Sequence, residues 1–223
     1  MRKRLVITVD GPSGAGKSTV ARALASALGY EYMDTGAMYR AVAYAYSREK
    51  EEGDLEAFLK GLALRFVFGK TTQVYLNGKD ISQKIRTSEV SLLASAISQD
   101  PRVRKYLTTV QRELGKEGGV VLEGRDAGSV IFPDADVKFY LDADVEERAR
   151  RRYRELCSAP FGHASGDDLE QVKKEIEKRD KDDSEREFAP LVRPQGAHGV
   201  DTTHLDVEGV VRILKQHVEQ VSR

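Results

Sequence analysis

Eight consecutive residues constrain this chain more than any other stretch. Gly11-Pro12-Ser13-Gly14-Ala15-Gly16-Lys17-Ser18 fits the pattern G-x-x-x-x-G-K-[ST] throughout, and its flanks supply the context that the pattern needs. Leu5-Val6-Ile7-Thr8-Val9 is apolar and β-branched, as in a buried strand. Val20, Leu24 and Leu28 recur every four residues through an alanine-rich run that stops at Gly29, a helix C-cap residue. A strand, a glycine loop and a helix N-terminus in that order build an anion cradle. The glycines let backbone N–H groups turn inward, and the helix dipole favours negative charge. Lys17 then reaches terminal phosphates, and the Ser18 hydroxyl suits Mg²⁺.

The rest of the chain reads as one α/β unit with an interruption. Glu31-Tyr32-Met33 precedes Asp34-Thr35-Gly36, and either Asp34 or Thr35 caps a helix running from Ala37. Arg65 to Phe68 and Gln73 to Leu76, each followed closely by a glycine, predict strands of a small antiparallel sheet, with Ile81 and Ile85 continuing that unit. Helices are expected over Glu89 to Ser98 and Val103 to Leu114. Val120-Val121-Leu122 and Val137 to Leu141 are further buried strands, and Asp144 with Glu147 forms a capping-box pattern ahead of a densely charged helix. A Gly/Ser/Pro-rich break covers Ser158 to Gly166. Beyond it, one amphipathic helix carries Leu169, Val172 and Ile176. The last carries Val207, Val210, Val211, Leu214, Val218 and Val221 on one stripe. Strands separated by helices imply a mostly parallel sheet covered on both faces.

Composition removes several classes. Lysine plus arginine equals aspartate plus glutamate at 36 each, so no net field draws the chain onto nucleic acid or a membrane surface. Cys157, the single cysteine among 223 residues, rules out an intramolecular disulfide framework; it reads as an inert side chain in a reducing compartment. The basic start is followed by too few apolar residues before Asp10 for a signal peptide, and no run has the length of a transmembrane helix. The expectation is a soluble, cytoplasmic protein for which a monomer suffices. Asn77-Gly78-Lys79-Asp80 has the letters of a guanine-reading motif in the wrong order and reads as a hairpin turn.

The glycine loop points to a nucleoside triphosphate and leaves the reaction open. Arginine-rich clusters narrow the acceptor. Arg40 lies one helical turn beyond Gly36, and Arg125-Asp126 follows a strand at the carboxyl edge, where open α/β sheets bind ligands. Arg179, Asp183 and Arg186 share a helix face if that helix persists to Arg186; a solvated salt-bridge ladder is the alternative reading. Glu123, ending an apolar strand, is either an acid that orients Mg²⁺ through water or a solvated strand end. Asp10 either assists the metal shell or caps the loop. Arg148, Arg151 and Arg152 look like a lid that closes over ATP, or else like a basic solvated helix or a nucleic-acid patch. Interspersed Glu146, Glu147 and Glu155 argue against the patch.

Several segments together resemble the bacterial cytidylate kinases. They are the glycine loop through Thr19, Asp34-Thr35-Gly36-Ala37-Met38-Tyr39-Arg40, Ile85-Arg86-Thr87 with Glu89-Val90, and Pro101-Arg102-Val103-Arg104. Gly124-Arg125-Asp126, Phe132-Pro133-Asp134-Ala135, and Arg179 through Arg186 with Ala189-Pro190-Leu191 follow in order. The resemblance implies a P-loop NTPase three-layer α/β fold with an antiparallel insert and a lid. It implies a core over about 1–36, 115–147 and 187–223, a monophosphate-binding region over 37–114 and a lid over 148–186. The implied activity moves the γ-phosphoryl of ATP to CMP or dCMP with Mg²⁺.

By the same resemblance, Gly11, Pro12, Ser13, Gly14, Ala15, Gly16, Lys17, Ser18 and Thr19 bind ATP together with Arg148, Arg151 and Arg152. Ser18 and Glu123 serve the metal. Arg40, Arg125 and Arg186 hold the acceptor phosphate, and Lys17, Arg125 and Arg186 carry catalysis. Ser95, Arg104 and Asp126 read the cytosine edge, Arg179 and Asp183 bind the ribose hydroxyls, and Thr35 supplies a hydroxyl near the substrate. The competing readings are another small-metabolite kinase of the UMP/CMP, thymidylate or shikimate type, and a nucleotide-sensing regulator without turnover.

Overall fold

A computed structural model describes residues 4–48, 54–69, 71–158 and 169–221. Five parallel strands form the central sheet: β1 (Val6–Asp10), β2 (Glu31–Asp34), β6 (Val120–Gly124), β7 (Val137–Asp142) and β8 (His198–Asp201), in the order β2-β6-β1-β7-β8. Alternate residues of β1, β2 and β6 enter opposite cores, as a pleat buried on both faces requires. Ile7, Val9, Val121 and Phe139 join α1 (Lys17–Leu28) and α8 (Val207–Val221) on one face. Met33, Val120 and Leu122 join α2 (Thr35–Tyr46) and α5 (Pro101–Gly115) on the other. A fully buried leucine such as Leu24 contributes roughly 2 kcal/mol through this packing.

Local signals account for most element ends. Gly29 ends α1 in the left-handed conformation, φ 67°. Asp34 is the cap of α2: its carboxylate accepts from the Ala37 N–H at 2.7 Å, so the helix begins at Thr35, two residues before the sequence expectation. The antiparallel unit is β3 (Leu64–Val67), β4 (Gln73–Leu76) and β5 (Lys79–Asp80), joined at Asn77-Gly78 with φ 49° and 76°. Val74, Ile81 and Ile85 seat it on Ala37, Ala41 and Tyr44 of α2.

Two expectations change at helix ends. Asp144 caps α6 (Val145–Ser158) through the Glu146 N–H at 2.8 Å. Glu147 is drawn instead to Arg151 at 3.1 Å, so the reciprocal capping box does not form. On α8 the buried stripe is Val210, Leu214 and Val218; Val207 and Val221 overhang the sheet and are exposed. The Ser158 to Gly166 break lies, beyond Ser158, outside the described residues, as does the start of the chain before residue 4. Past it, α7 (Leu169–Glu185) packs Val172 and Ile176 on Ala149 of α6. Among the described residues, no helix is long and apolar enough to cross a membrane.

His198 and His217 stack at 4.5 Å between ring centroids, edge-on to Phe139, and so tie α8 to the sheet. Burial, then the neighbouring His198, holds the His217 pKa below its usual value. A histidine depressed in the folded state is protonated more readily when unfolded, so its contribution to stability holds above about pH 6.5 and is lost as pH falls below it. Between about pH 7.5 and 5.5, the melting temperature of the wild type should therefore fall more steeply than that of His217→Asn. Parallel curves would show that the pair carries no acid sensitivity.

Candidate active site

The carboxyl ends of β1, β2 and β6 bring Asp10, Asp34 and Glu123 to one edge of the sheet, with Asp34 in register with Glu123 and Asp10 with Gly124. The glycine loop crosses this edge. Gly11 adopts φ 146°, and a Cβ there would sit 1.9 Å from the Leu141 carbonyl oxygen; Gly14, at φ 77°, would press on the Arg148 backbone at 2.8 Å. Both positions exclude side chains. Lys17 is buried, and its Nζ donates to the Pro12 carbonyl at 2.5 Å. Burial first, then the Arg125 guanidinium, pulls its pKa down to about 7, against the opposing pull of Glu123. A multiply charged anion in the cradle would restore the full ammonium charge.

Glu123 is no solvated strand end. It is buried, accepts from Ser18 Oγ at 2.8 Å and from the Tyr32 hydroxyl at 3.2 Å, and has a pKa raised by burial and by Asp34. An exposed hydroxyl beside a buried carboxylate gives hard oxygen ligands of the kind Mg²⁺ takes alongside phosphates and water, so Ser18 and Glu123 fit that ion. Asp10 does not cap the glycine loop. Its carboxylate accepts from the Ala127 and Gly128 N–H groups, both at 2.7 Å, and anchors the π-helical turn Ala127–Ile131. Burial dominates its raised pKa of about 7. The Thr35 hydroxyl donates to the Glu123 carbonyl at 2.7 Å, joining α2 to β6.

A cluster of arginines lies beside Lys17. Asp183, near the end of α7, accepts from Arg125 Nε at 3.0 Å and from Arg186 Nη1 at 2.9 Å. Helix α7 stops at Glu185, so Arg186 reaches Asp183 from the following turn, where its Nε also donates to the Ala189 carbonyl at 2.8 Å. Ala189 takes φ 56° and Leu191 N–H returns to the Asp183 carbonyl; this is the physical content of Ala189-Pro190-Leu191. A solvated ladder is thereby ruled out, because Asp183 and the Arg186 side chain are buried. Arg179 has its pKa lowered to about 10, chiefly by burial and then by Arg125. Arg40, on α2, donates to Asp34 at 3.1 Å.

Next to this cluster, Arg104 Nη2 lies 2.7 Å from Asp126 Oδ2, with side chains 2% and 5% exposed, and the guanidinium stands 5.2 Å from the Tyr39 ring centroid. Ser95 belongs to the helix that precedes Arg104 in the chain. It sits half-buried on α4 (Ser88–Ile97), its carbonyl accepts from Ser98 Oγ, and it is the Ser98 carbonyl that orients Arg104 at 3.1 Å. Among the described residues, the Tyr39 hydroxyl, the Nε atoms of Arg40, Arg104 and Arg179, and Arg186 Nη2 are buried donors without a protein partner. Orphaned donors of this kind are rare and costly.

The three α6 arginines divide. Arg148 is buried: its Nε donates to the Ala143 carbonyl, and its Nη1 donates to the Ser13 carbonyl and pairs with Asp180. It braces the loop from behind, in place of the mobile contact expected of it. Arg151 donates to the Thr202 hydroxyl and carbonyl, 2.9 and 2.6 Å away, and reaches toward Gly16. Arg152 is half-buried; it pairs with Glu155 at 3.2 Å and stands near enough to Arg179 to help lower that residue's pKa. Sequence reading missed Asp180 and Thr202. Asp180 accepts from the Ser13 N–H at 2.9 Å, and the Thr202 hydroxyl donates to the Ala15 carbonyl at 3.2 Å. Asp180 was adjacent to Arg179 in the motif; nothing local marks Thr202.

The chain is 45% identical over 221 residues to the cytidylate kinase of Citrifermentans bemidjiense, covering 97% of this chain and 93% of that protein. It is 46% identical to the cytidylate kinase of Geobacter sulfurreducens, covering 100% and 96%. Among solved structures, shikimate kinase from Bacteroides thetaiotaomicron matches with a TM-score of 0.51 at 13% identity, covering 96% of this chain and 98% of that one, which shows a shared fold. The model of the cytidylate kinase family matches residues 7–220, and the chain belongs to that family.

Proposed function

We propose that the protein transfers the γ-phosphoryl group of ATP to CMP or dCMP, giving ADP and CDP or dCDP. The observation that carries this reading is the set of orphaned donors on Tyr39, Arg40, Arg104, Arg179 and Arg186, of which Arg179 stands near enough to Lys17 to help lower its pKa. Cations crowded around so few carboxylates call for phosphate on both sides of the transfer. The phosphate loop and Lys17 take the triphosphate; Arg40, Arg125 and Arg186 take the acceptor phosphate, with Arg125 and Arg186 oriented by Asp183. Arg179 faces the sugar side, and Arg151 and Arg152 approach the donor from α6. Residues 37–114 form the monophosphate-binding region and 148–186 the lid.

Phosphoryl transfer needs positioned charge more than covalent chemistry. Lys17 and the arginines stabilise charge on the transferred oxygens, and the closed helices exclude water as a competing acceptor. Mg²⁺, held by Ser18 and through Glu123, supplies further charge neutralisation on the phosphates. Asp126 accepts from the N4 amino group of cytosine while Arg104 donates toward N3. Uracil would set acceptor against carboxylate and donor against guanidinium, a mismatch that a buried polar site rejects by about 10⁴-fold. A monomer with no nucleic-acid or membrane partner suffices, and the single cysteine suits the cytoplasm.

A steady-state survey of CMP, dCMP, UMP, AMP and dTMP with Mg-ATP tests the assignment. CMP and dCMP should be favoured over UMP by at least about 10³-fold in kcat/KM. Equal values for CMP and UMP would defeat it.

A further inference from the structure

The inward N–H groups of the phosphate loop depend on what holds its outward side. Lys17 takes the Pro12 carbonyl, Arg148 the Ser13 carbonyl at 3.0 Å, and Thr202 the Ala15 carbonyl. The Pro12–Ser13 peptide is gripped at both ends: Lys17 takes its carbonyl, and its N–H, that of Ser13, donates to Asp180 Oδ1 at 2.9 Å. The other carboxylate oxygen of Asp180 pairs with Arg148, so a single side chain fixes both an N–H of the loop and the guanidinium that grips the adjoining carbonyl. Asp180 stands on α7 between Arg179 and, one turn on, Asp183; the helix that orders the arginine cluster therefore also grips the donor loop.

We propose that Asp180 is a positioning residue for the triphosphate. By fixing the N–H end of the Pro12–Ser13 peptide and holding Arg148 in place, it presets the loop so that the remaining N–H groups converge on phosphate. This rests on the donor reading above, and no part of it requires that the acceptor be CMP. A charge-assisted bond to a backbone N–H in a partly buried setting is among the stronger single hydrogen bonds, and preorganisation of a loop is repaid directly in ligand affinity.

The test is ATP binding to the whole protein by titration calorimetry without acceptor, together with KM values for both substrates. Asp180→Ala should weaken ATP binding about tenfold or more, and raise KM for ATP accordingly, with KM for CMP moving less than about twofold. Asp180→Asn keeps an acceptor for the Ser13 N–H but loses the charge that holds Arg148, so it should fall between wild type and alanine. Melting temperatures report whether each variant is folded, and the near-isosteric asparagine keeps the test open if alanine is not. Unchanged ATP affinity would overturn the proposal. So would tighter ATP binding, which would mean that the carboxylate competes with phosphate, or an equal loss for CMP, which would place its action on Arg179. A wild type that binds ATP yet phosphorylates no pyrimidine monophosphate would defeat the acceptor reading and leave this test standing.

Discussion

Lys17→Met should lower kcat for CMP phosphorylation by about 10³-fold while leaving the melting temperature at or above that of the wild type. The catalytic loss follows from position. Lys17 supplies the only side-chain cation of the Gly11–Ser18 loop, and an ammonium aimed at developing charge in a site shielded from water commonly accounts for a factor of that size. The stability result follows from burial. In the ligand-free protein the ammonium is desolvated, faces the Arg125 guanidinium, and has its pKa depressed to about 7, so the folded state gains nothing from its charge. Methionine keeps the unbranched stem and removes that liability. Steady-state rates and thermal melting together separate the two effects. Activity above a tenth of wild type would refute the catalytic role, and a fall in melting temperature would show that the bond to Pro12 holds the loop together.

Asp183→Ala should have the largest effect on stability of any single change at the site, about 3–5 kcal/mol, with kcat/KM for CMP falling by roughly 10² or more. The carboxylate lies between Arg125 at 3.0 Å and Arg186 at 2.9 Å, and all three groups are at least partly buried. Removing it leaves two guanidinium groups facing each other without a counter-charge, and that penalty exceeds the net worth of the ion pairs. An anion can replace what was lost. Saturating CMP should therefore raise the melting temperature of the variant more than that of the wild type, a sign that a purely structural lesion would not produce. If CMP stabilised both equally, Arg125 and Arg186 would not be the phosphate ligands. The same contrast checks the phosphate assignment without using turnover.

How far the sequence could be read depended on the distance over which each feature acts. The hairpin turn at Asn77-Gly78, the αL cap at Gly29 and the cap at Asp34 are governed by residues a few positions away. The capping box failed for a reason of the same kind: Glu147 had a better partner in Arg151, one turn along its own helix. The environment of Glu123 was open in the sequence because a charge at a strand end reads alike in solvent or core. Only the packing of Tyr32, Ser18 and Asp34 around it resolves the matter. Arg148 carried a role implied by motif order, and motif order does not say which way a side chain turns on its helix.

The chain by itself determined that an anion would be held between a strand and a helix, because glycine spacing, β-branching and helical periodicity are properties of adjacent residues. It also determined which arginines and carboxylates were available for the second pocket. Their partnerships belong to the tertiary structure alone: Arg125 meets Asp183 across 58 residues, Ser13 meets Asp180 across 167, and Ala15 meets Thr202 across 187. Such pairs are set by the order of strands in the sheet and by the docking of α7 beside it. The energies that select that arrangement come from cores shared among distant segments, which no local pattern encodes.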